Sequence, residues 1–223
     1  MAKATSALGP YAGVLPWARV PGTGEVVVLL GQERFEPGWR DGGRWSDFGG
    51  GTEPDVDRDP IEAAAREAYE ETMGMLGSRA EVETALRAAA QAGRLHRARS
   101  PKGASVFLWE VPYDPMLPIQ FARVRAYALE AAAAHDKAGA ACGRSCATPA
   151  KGYYEKRAVE WVPAAVLADI VADALPVAET RARGLVPQRD PGLLRDDFAR
   201  TVAPFFARAA AVVHQRPALA GLY

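Results

Sequence analysis

The sequence predicts an α/β protein, because segments of strand length alternate with segments of helical character along its 223 residues. Residues 25–30 (EVVVLL) form a nearly continuous apolar run, which is typical of a strand buried on both faces. From about residue 61, a helical pattern carries a small, mostly apolar face that can pack closely on a sheet. Together these features predict layers of helix and sheet in one fold.

Three further segments have strand character. Residues 11–20 predict a first strand, in which Pro16 would suit an edge position. Residues 104–111 (ASVFLWEV) are rich in β-forming residues and mostly apolar, which predicts a central strand. Residues 153–163 (YYEKRAVEWVP) predict the next strand.

Helical patterns fill much of the remaining chain. Strong helix formers predict helices over residues 80–93, 117–135, 164–172 and 193–214. Pro204 would kink or divide the last of these. Residues 94–99 (RLHRAR) form a short basic run that we interpret as a solvated connection between two elements.

Residues 138–151 predict a loop of small residues, and this loop contains Cys142 and Cys146. A C-x3-C pair without further cysteines is too poor in ligands for a structural zinc site. We therefore assign no function to the two cysteines. A chain with so few cysteines agrees with a reducing compartment.

Composition limits the classes of function. Lys plus Arg and Asp plus Glu both total 27, so the chain has no global basic field that would concentrate nucleic acid. The sequence lacks a signal-peptide pattern at its start and any apolar stretch of about 20 residues. We therefore expect a soluble, intracellular, cytoplasmic protein with no membrane partner.

The stretch from Trp45 to Gly77 carries the strongest chemical signal. A glycine triplet at residues 49–51 is followed by an acidic turn and then by the helix with Glu67, Glu70 and Glu71. These three carboxylates stand at i, i+3 and i+4, so they emerge on one helical face. Each like-charged pair costs roughly 0.2–0.5 kcal/mol at an exposed surface. A hard divalent cation such as Mg²⁺ would turn that cost into affinity.

The run R-E-A-Y-E-E-T resembles the helical half of the Nudix box, whose pattern is G-x5-E-x7-R-E-U-x-E-E-x-G-U with U a bulky aliphatic residue. Its matching positions are Arg66, Glu67, Glu70 and Glu71, and the glycine triplet stands where the family has its glycine loop. The chain departs from the pattern at Asp57, where the family has Glu, and eight residues rather than seven separate Asp57 from Arg66. The closing glycine comes one place late, at Gly74.

This resemblance implies a Nudix-type α/β/α sandwich around a mixed sheet, with extra helices. The Nudix hydrolase domain would cover residues 11–172 with a helical insertion at about 114–150, and residues 173–223 would form a helical C-terminal extension. The resemblance also implies hydrolysis of the pyrophosphate bond in a nucleoside diphosphate derivative. Mg²⁺ or Mn²⁺ would be held by Glu67, Glu70 and Glu71. One of these carboxylates, or Glu155, would take the proton from water.

Other residues are candidates for substrate contact. Arg34, Arg40 and Arg44 lie in a loop that the family places near the cleft, and guanidinium groups bind phosphate bidentately. We also predict contacts at Gly50 and Gly51. The aromatic residues Phe35 and Trp39 would either stack on a base or pin the loop. In the last strand, Glu155 and Glu160 are five apart and face opposite sides, and of these two we favour Glu155 for the cleft.

Three functions agree with the sequence. The first is a hydrolase of small nucleotides. The second is an mRNA decapping hydrolase, because WSDFGGG and EETMG resemble stretches of Nudix proteins from large DNA viruses, and because the basic run at 94–99, with Lys102, could meet capped RNA. The third is a non-catalytic nucleotide- or RNA-binding module. The C-terminal helix could pack on the core or pair with a second subunit as a homodimer.

Overall fold

A computed structural model describes residues 8–142, 154–172 and 194–214. Its strands are β1 (Tyr11–Arg19), β2 (Val26–Glu33), β3 (Trp45–Ser46), β4 (Phe48–Gly51), β5 (His96–Arg99), β6 (Ser105–Glu110) and β7 (Lys156–Pro163). Its helices are α1 (Pro60–Glu71), α2 (Arg79–Gln91), α3 (Leu117–Cys142), α4 (residues 164–172) and α5 (Asp196–His214).

The strands of the described chain form one mixed sheet. Its order is β3-β2-β1-β6-β5, while β4 also pairs with β1 and β7 also pairs with β2. The pairing of β1 with β6 is parallel, with Val14 opposite Phe107. The other strand pairs are antiparallel. The strands predicted at residues 25–30 and 104–111 are confirmed as interior strands β2 and β6.

The predicted edge position of Pro16 is wrong, because β1 lies in the middle of the sheet. On one side, Pro16 is opposite Trp109 in the parallel ladder. On the other side, β4 pairs with β1 through Val14 and β2 pairs with it from Trp17. Pro16 therefore lies between two antiparallel ladders, where a missing amide hydrogen does least harm.

Helices α1, α2 and α3 cover one face of the sheet. The side chain of Asp59 caps α1 by accepting hydrogen bonds from the amides of Ile61 and Glu62, and Pro60 follows at the first helical position. The alanines of α1 allow it to lie close to the strands. The shared core on this face includes Ala12, Val14, Leu29, Phe48, Ala64, Ala68, Leu86, Phe107 and Phe121.

Helices α4 and α5 cover the opposite face. Their core residues include Leu167, Val171, Phe198 and Val202, which pack on Leu15, Val28, Leu30, Val106 and Leu108 of the sheet. Leu194 extends this packing through a parallel bridge to Trp45. Helices on both faces of a mixed sheet confirm the predicted α/β/α sandwich with extra helices. The predicted domain boundaries at residues 11, 172 and 173 stay predictions.

The chain differs from the predictions in three more places. The basic run is not a connection, because His96–Arg99 pairs with β6 as an edge strand with Ala98 buried. Residues 138–142 continue α3 instead of beginning a loop, and their alanines favour helix. Helix α5 runs through Pro204 without being divided.

Cys146 and Tyr153 lie outside the described residues. Within the described ranges, no helix has the length and apolar character needed to cross a membrane.

Candidate metal and phosphate site

The glycine triplet and helix α1 meet on one face of the sheet. Strand β4 pairs with β1 so that Gly49, Gly50 and Gly51 lie opposite Gly13, Ala12 and Tyr11. Helix α1 packs on these same two strands. Because glycines carry no side chain, the carboxylates of α1 come within contact distance of the strand backbone. One of them, on Glu71, accepts a 2.7 Å hydrogen bond from the Gly49 amide.

Arg66 is fixed at the centre of this contact by Asp57. Its Nε and Nη2 atoms donate to the two carboxylate oxygens of Asp57 at 3.1 and 2.9 Å, and Nη2 also donates to the Gly51 carbonyl. Burial acts to raise the pKa of Asp57, but its hydrogen bonds with Arg66 and the Glu53 backbone, together with the charges of Arg66 and Arg79, outweigh burial and lower that pKa. Asp57, which stands where the Nudix-box pattern has glutamate, thus makes a bidentate ion pair with Arg66.

Glu67 lies directly against Gly50. A Cβ atom added to Gly50 would stand 2.6 Å from Oε1 of Glu67, so only glycine leaves room for this carboxylate. The same oxygen accepts a 2.7 Å hydrogen bond from Arg66. Burial raises the pKa of Glu67 to about 7, Arg66 opposes the rise, and the charges of Glu70 and Glu155 add to it. The site therefore contains more negative charge than Arg66 neutralises.

Glu70 and Glu155 complete this acidic group. The Glu70 carboxylate lies 3.8 Å from Nη1 of Arg66, and burial raises its pKa, with further contributions from Glu53 and Glu155. Glu155 immediately precedes β7, where its carbonyl accepts a 2.7 Å hydrogen bond from the Arg34 amide. Glu160, the rival candidate in β7, is exposed and lines a groove beside α3.

Glu71 has different partners from Glu67 and Glu70. Its Oε1 atom lies 3.4 Å from the ammonium nitrogen of Lys156, which also donates to Glu33 at 2.6 Å and to Ser46 at 2.9 Å. Arg195, from the segment that leads into α5, donates to the same Glu33 oxygen at 3.1 Å. Burial raises the pKa of Glu71 against the opposing charge of Lys156. Sequence patterns identified none of Glu33, Ser46, Lys156 or Arg195 as partners of the site.

The chemistry of these donors fits a hard divalent cation. Carboxylate oxygens are the ligands that Mg²⁺ and Mn²⁺ prefer, and a cation would favour the charged forms of Glu67 and Glu70, whose pKa values are raised mainly by burial and further by neighbouring carboxylates. Within the described residues, no three acidic, histidine or cysteine side chains already enclose an ion. Glu67 and Glu70 instead share Arg66 between them.

The loop arginines differ in their availability. Arg34 is half exposed and pairs with Glu36, so it can reach solvent beside Glu155. Arg40 is also exposed. Arg44 is buried and forms ion pairs with Asp41 and Asp196, the latter at 3.1 Å. Of the two loop aromatics, Phe35 is 63% exposed and Trp39 is 37% exposed. The structure thus joins the Arg34 backbone to Glu155, while its guanidinium pairs with Glu36, and it uses Arg44 to hold α5 against the loop.

Helix α1 ends in a conformation that the sequence did not predict. Met73 stands where the Nudix-box pattern has its closing glycine and has a φ of 56°, in the left-handed region. Gly74 follows with a φ of 74°. Left-handed backbone costs a residue with a side chain roughly 1–2 kcal/mol, and packing of the Met73 side chain against the core accompanies this strain.

Replacement of Gly49, Gly50 or Gly51 by alanine should have a different result at each position. At Gly49 a Cβ atom would stand 2.4 Å from the Gly13 backbone, so we expect a loss of about 1–3 kcal/mol or more in stability. At Gly50 only the movable Glu67 carboxylate is in the way, so we expect little loss of stability and a displaced carboxylate. At Gly51 nothing lies within 4 Å, and the change should stay within about 0.5 kcal/mol.

Urea denaturation of the three variants measures these differences, and Gly51→Ala is the matched control. Equal destabilisation by Gly49→Ala and Gly51→Ala would contradict the described packing of β4 on β1.

Comparison with known proteins gives only distant likenesses. No family model and no curated protein matches the chain. A mutT/nudix family protein from Listeria innocua is 14% identical, with a TM-score of 0.41 over 93% of this chain and 98% of that one. The NUDIX domain of Shewanella oneidensis NrtR, in complex with ADP ribose, is 14% identical, with a TM-score of 0.36 over 83% and 94%.

A NUDIX hydrolase from Alicyclobacillus acidocaldarius is 15% identical, with a TM-score of 0.40 over 76% of this chain and 85% of that one. The function proposed below therefore rests on this chain's own residues.

Proposed function

We propose that this chain is a Nudix-type hydrolase that cleaves the pyrophosphate bond of a nucleoside diphosphate derivative with the help of Mg²⁺ or Mn²⁺. One observation carries the proposal: the Glu67 carboxylate lies against Gly50, beside Glu70 and Glu155. It accepts a hydrogen bond from Arg66, which Asp57 holds in place. This arrangement places several carboxylates beside β4. Because the glycines of β4 carry no side chains, a polyanionic substrate can approach its backbone once a cation is bound. The resemblance of the helix to the Nudix box supports the same function.

The reaction adds water across a P–O–P bond and yields two phosphate monoesters. A bound divalent cation would neutralise phosphoryl oxygens and lower the pKa of attacking water. In this proposal Glu67, Glu70 and Glu155 hold the cation, and Glu155 or Glu70 takes the proton from water. Arg66 orients Glu67, and Arg34 binds a phosphate from its exposed position beside Glu155. The backbone of Gly50 and Gly51 borders the substrate.

Hydrolysis assays on a substrate panel test the function. The panel contains nucleoside diphosphate sugars, dinucleoside polyphosphates and capped RNA, each with Mg²⁺, with Mn²⁺ and with EDTA. We expect metal-dependent release of a nucleoside monophosphate from a small nucleotide. A preference for capped RNA that falls steeply with salt would indicate decapping, because phosphate contacts release counterions. Metal binding without turnover on any substrate would indicate a binding module instead.

Metal affinity should depend on pH through Glu67. Its pKa in the folded protein is about 7, above its ordinary value of 4.5, so its protonated form stabilises the metal-free fold. That stabilisation is complete below pH 4.5 and is lost as the pH rises through 7. Because a cation must displace the proton, we expect Mn²⁺ affinity to fall about fivefold from pH 7 to pH 6 and about tenfold per unit below that.

Calorimetric titration with Mn²⁺ at several pH values measures this dependence, and Glu67→Gln should flatten it. A pH dependence of affinity that is the same in Glu67→Gln as in the parent would show that Glu67 is not a ligand.

A further inference from the structure

Lys156 is a buried cation inside the fold. Its side chain is 0% exposed, and its ammonium nitrogen lies within 3.4 Å of two carboxylates, those of Glu33 and Glu71. The Ser46 hydroxyl supplies a third partner at 2.9 Å. A buried ammonium requires such neutralising and hydrogen-bonding groups, because removing it from water is otherwise too costly. One ammonium against two carboxylates leaves one negative charge, and the Arg195 guanidinium, 3.1 Å from the same Glu33 oxygen, supplies the second positive charge.

Glu71 is occupied at both of its oxygens. Oε2 accepts the Gly49 amide at 2.7 Å, and Oε1 faces the Lys156 ammonium. Its side chain is 1% exposed, whereas those of Glu67 and Glu70 are 10% and 18% exposed. A hydrated Mg²⁺ ion keeps several of its waters, so it binds carboxylates that reach solvent. Glu67 and Glu70 meet that condition, and Glu71 does not.

We infer that Lys156 serves as the permanent counter-cation of Glu71, so that Glu71 positions the glycine strand and is not a ligand of the divalent cation. This inference rests on the proposed function, because it assigns the metal to Glu67, Glu70 and Glu155. The Glu71 carboxylate ties α1 to β4 through the Gly49 amide. That bond holds the next residue, Gly50, against Glu67. Glu71 and Lys156 are thus positioning residues for the carboxylate that binds the metal.

Direct Mn²⁺ binding separates the two kinds of glutamate. The full-length protein and its variants are titrated with Mn²⁺, and free ion is followed by electron paramagnetic resonance while circular dichroism monitors folding. We expect Glu67→Gln to weaken binding about tenfold or more, the range for groups that act on a metal. Glu71→Gln keeps an oxygen that can accept the Gly49 amide, so it should preserve the positioning and change the affinity by less than about threefold, the effect of weakening one hydrogen bond. A folded Glu71→Gln variant that loses as much affinity as Glu67→Gln overturns the inference.

A charge-balanced double variant keeps the test decisive if Glu71→Gln does not fold. Lys156→Met combined with Glu71→Gln removes one positive and one negative charge together and keeps an oxygen for the Gly49 amide, and Glu33 retains Ser46 and Arg195 as partners. Mn²⁺ affinity of this variant within about threefold of the parent supports the inference, and a loss of about tenfold or more, the size expected for a metal ligand, overturns it. Failure of the unaltered protein to bind Mn²⁺ would overturn the proposed function as well. A loss confined to the Glu71 variants would overturn the inference alone.

Discussion

Glu67→Gln is expected to lower kcat for metal-dependent hydrolysis by about 100-fold or more, since even residues that only support a metal ligand cost 10–100-fold when replaced. The substitution keeps the shape of the side chain against Gly50 and its contact with Arg66, but it removes the charge that holds the cation. The loss should therefore appear in kcat and in Mn²⁺ affinity without unfolding. Steady-state kinetics on the best substrate of the panel, with thermal unfolding alongside, measure both.

Glu83→Gln is the matched control. Glu83 lies on the neighbouring helix α2 and pairs with Arg87 away from the acidic group. The same substitution there should leave kcat within about twofold of the parent, as for surface changes in general. If Glu67→Gln retained more than a tenth of the parental kcat, the assignment of Glu67 as a metal ligand would fail.

Lys156→Met is expected to lower the free energy of unfolding by about 3–5 kcal/mol, the cost of leaving buried charges without their partner. The substitution keeps an unbranched side chain that is one atom shorter, and it leaves Glu71 and Glu33 buried without the ammonium that they share. For a chain of this size the change corresponds to a fall in Tm of about 6–20 °C. Thermal unfolding followed by circular dichroism gives the shift.

Lys102→Met provides the comparison, because Lys102 is an exposed lysine that loses the same charge. Its Tm should stay within about 2 °C of the parent. Equal Tm values for the Lys156 and Lys102 variants would mean that the buried ion pairs do not stabilise the fold.

Local patterns in the sequence predicted the parts of the site that lie close together in the chain. Helical spacing placed Glu67 and Glu70 on one face of α1, and the apolar run at residues 25–30 predicted a buried strand. Both predictions depend only on periods of 3.6 and 2.0 residues within one element. The structure also shows that Asp57 can bind Arg66 despite its shorter side chain, which no spacing rule indicates.

Contacts between distant segments could not be predicted in this way. Lys156 and Glu33 are 123 residues apart, and a lysine at the start of a strand has no local feature that marks it as buried. Arg44 is a loop arginine by sequence, yet its partner Asp196 lies 152 residues further on. Pro16 suggested a strand edge, because proline lacks an amide hydrogen. Its actual position between two ladders depends on which strands pair with β1. In each case the missing information is the pairing of elements, not the character of the residue.

Anomalous diffraction from crystals grown with Mn²⁺ would show which carboxylates bind the ion, because it locates the ion without assuming a substrate. We expect one strong anomalous peak bounded by the carboxylates of Glu67, Glu70 and Glu155, with Lys156 still in contact with Glu71. A peak on Glu71 with Lys156 displaced, or the absence of any peak beside Glu67, would contradict it.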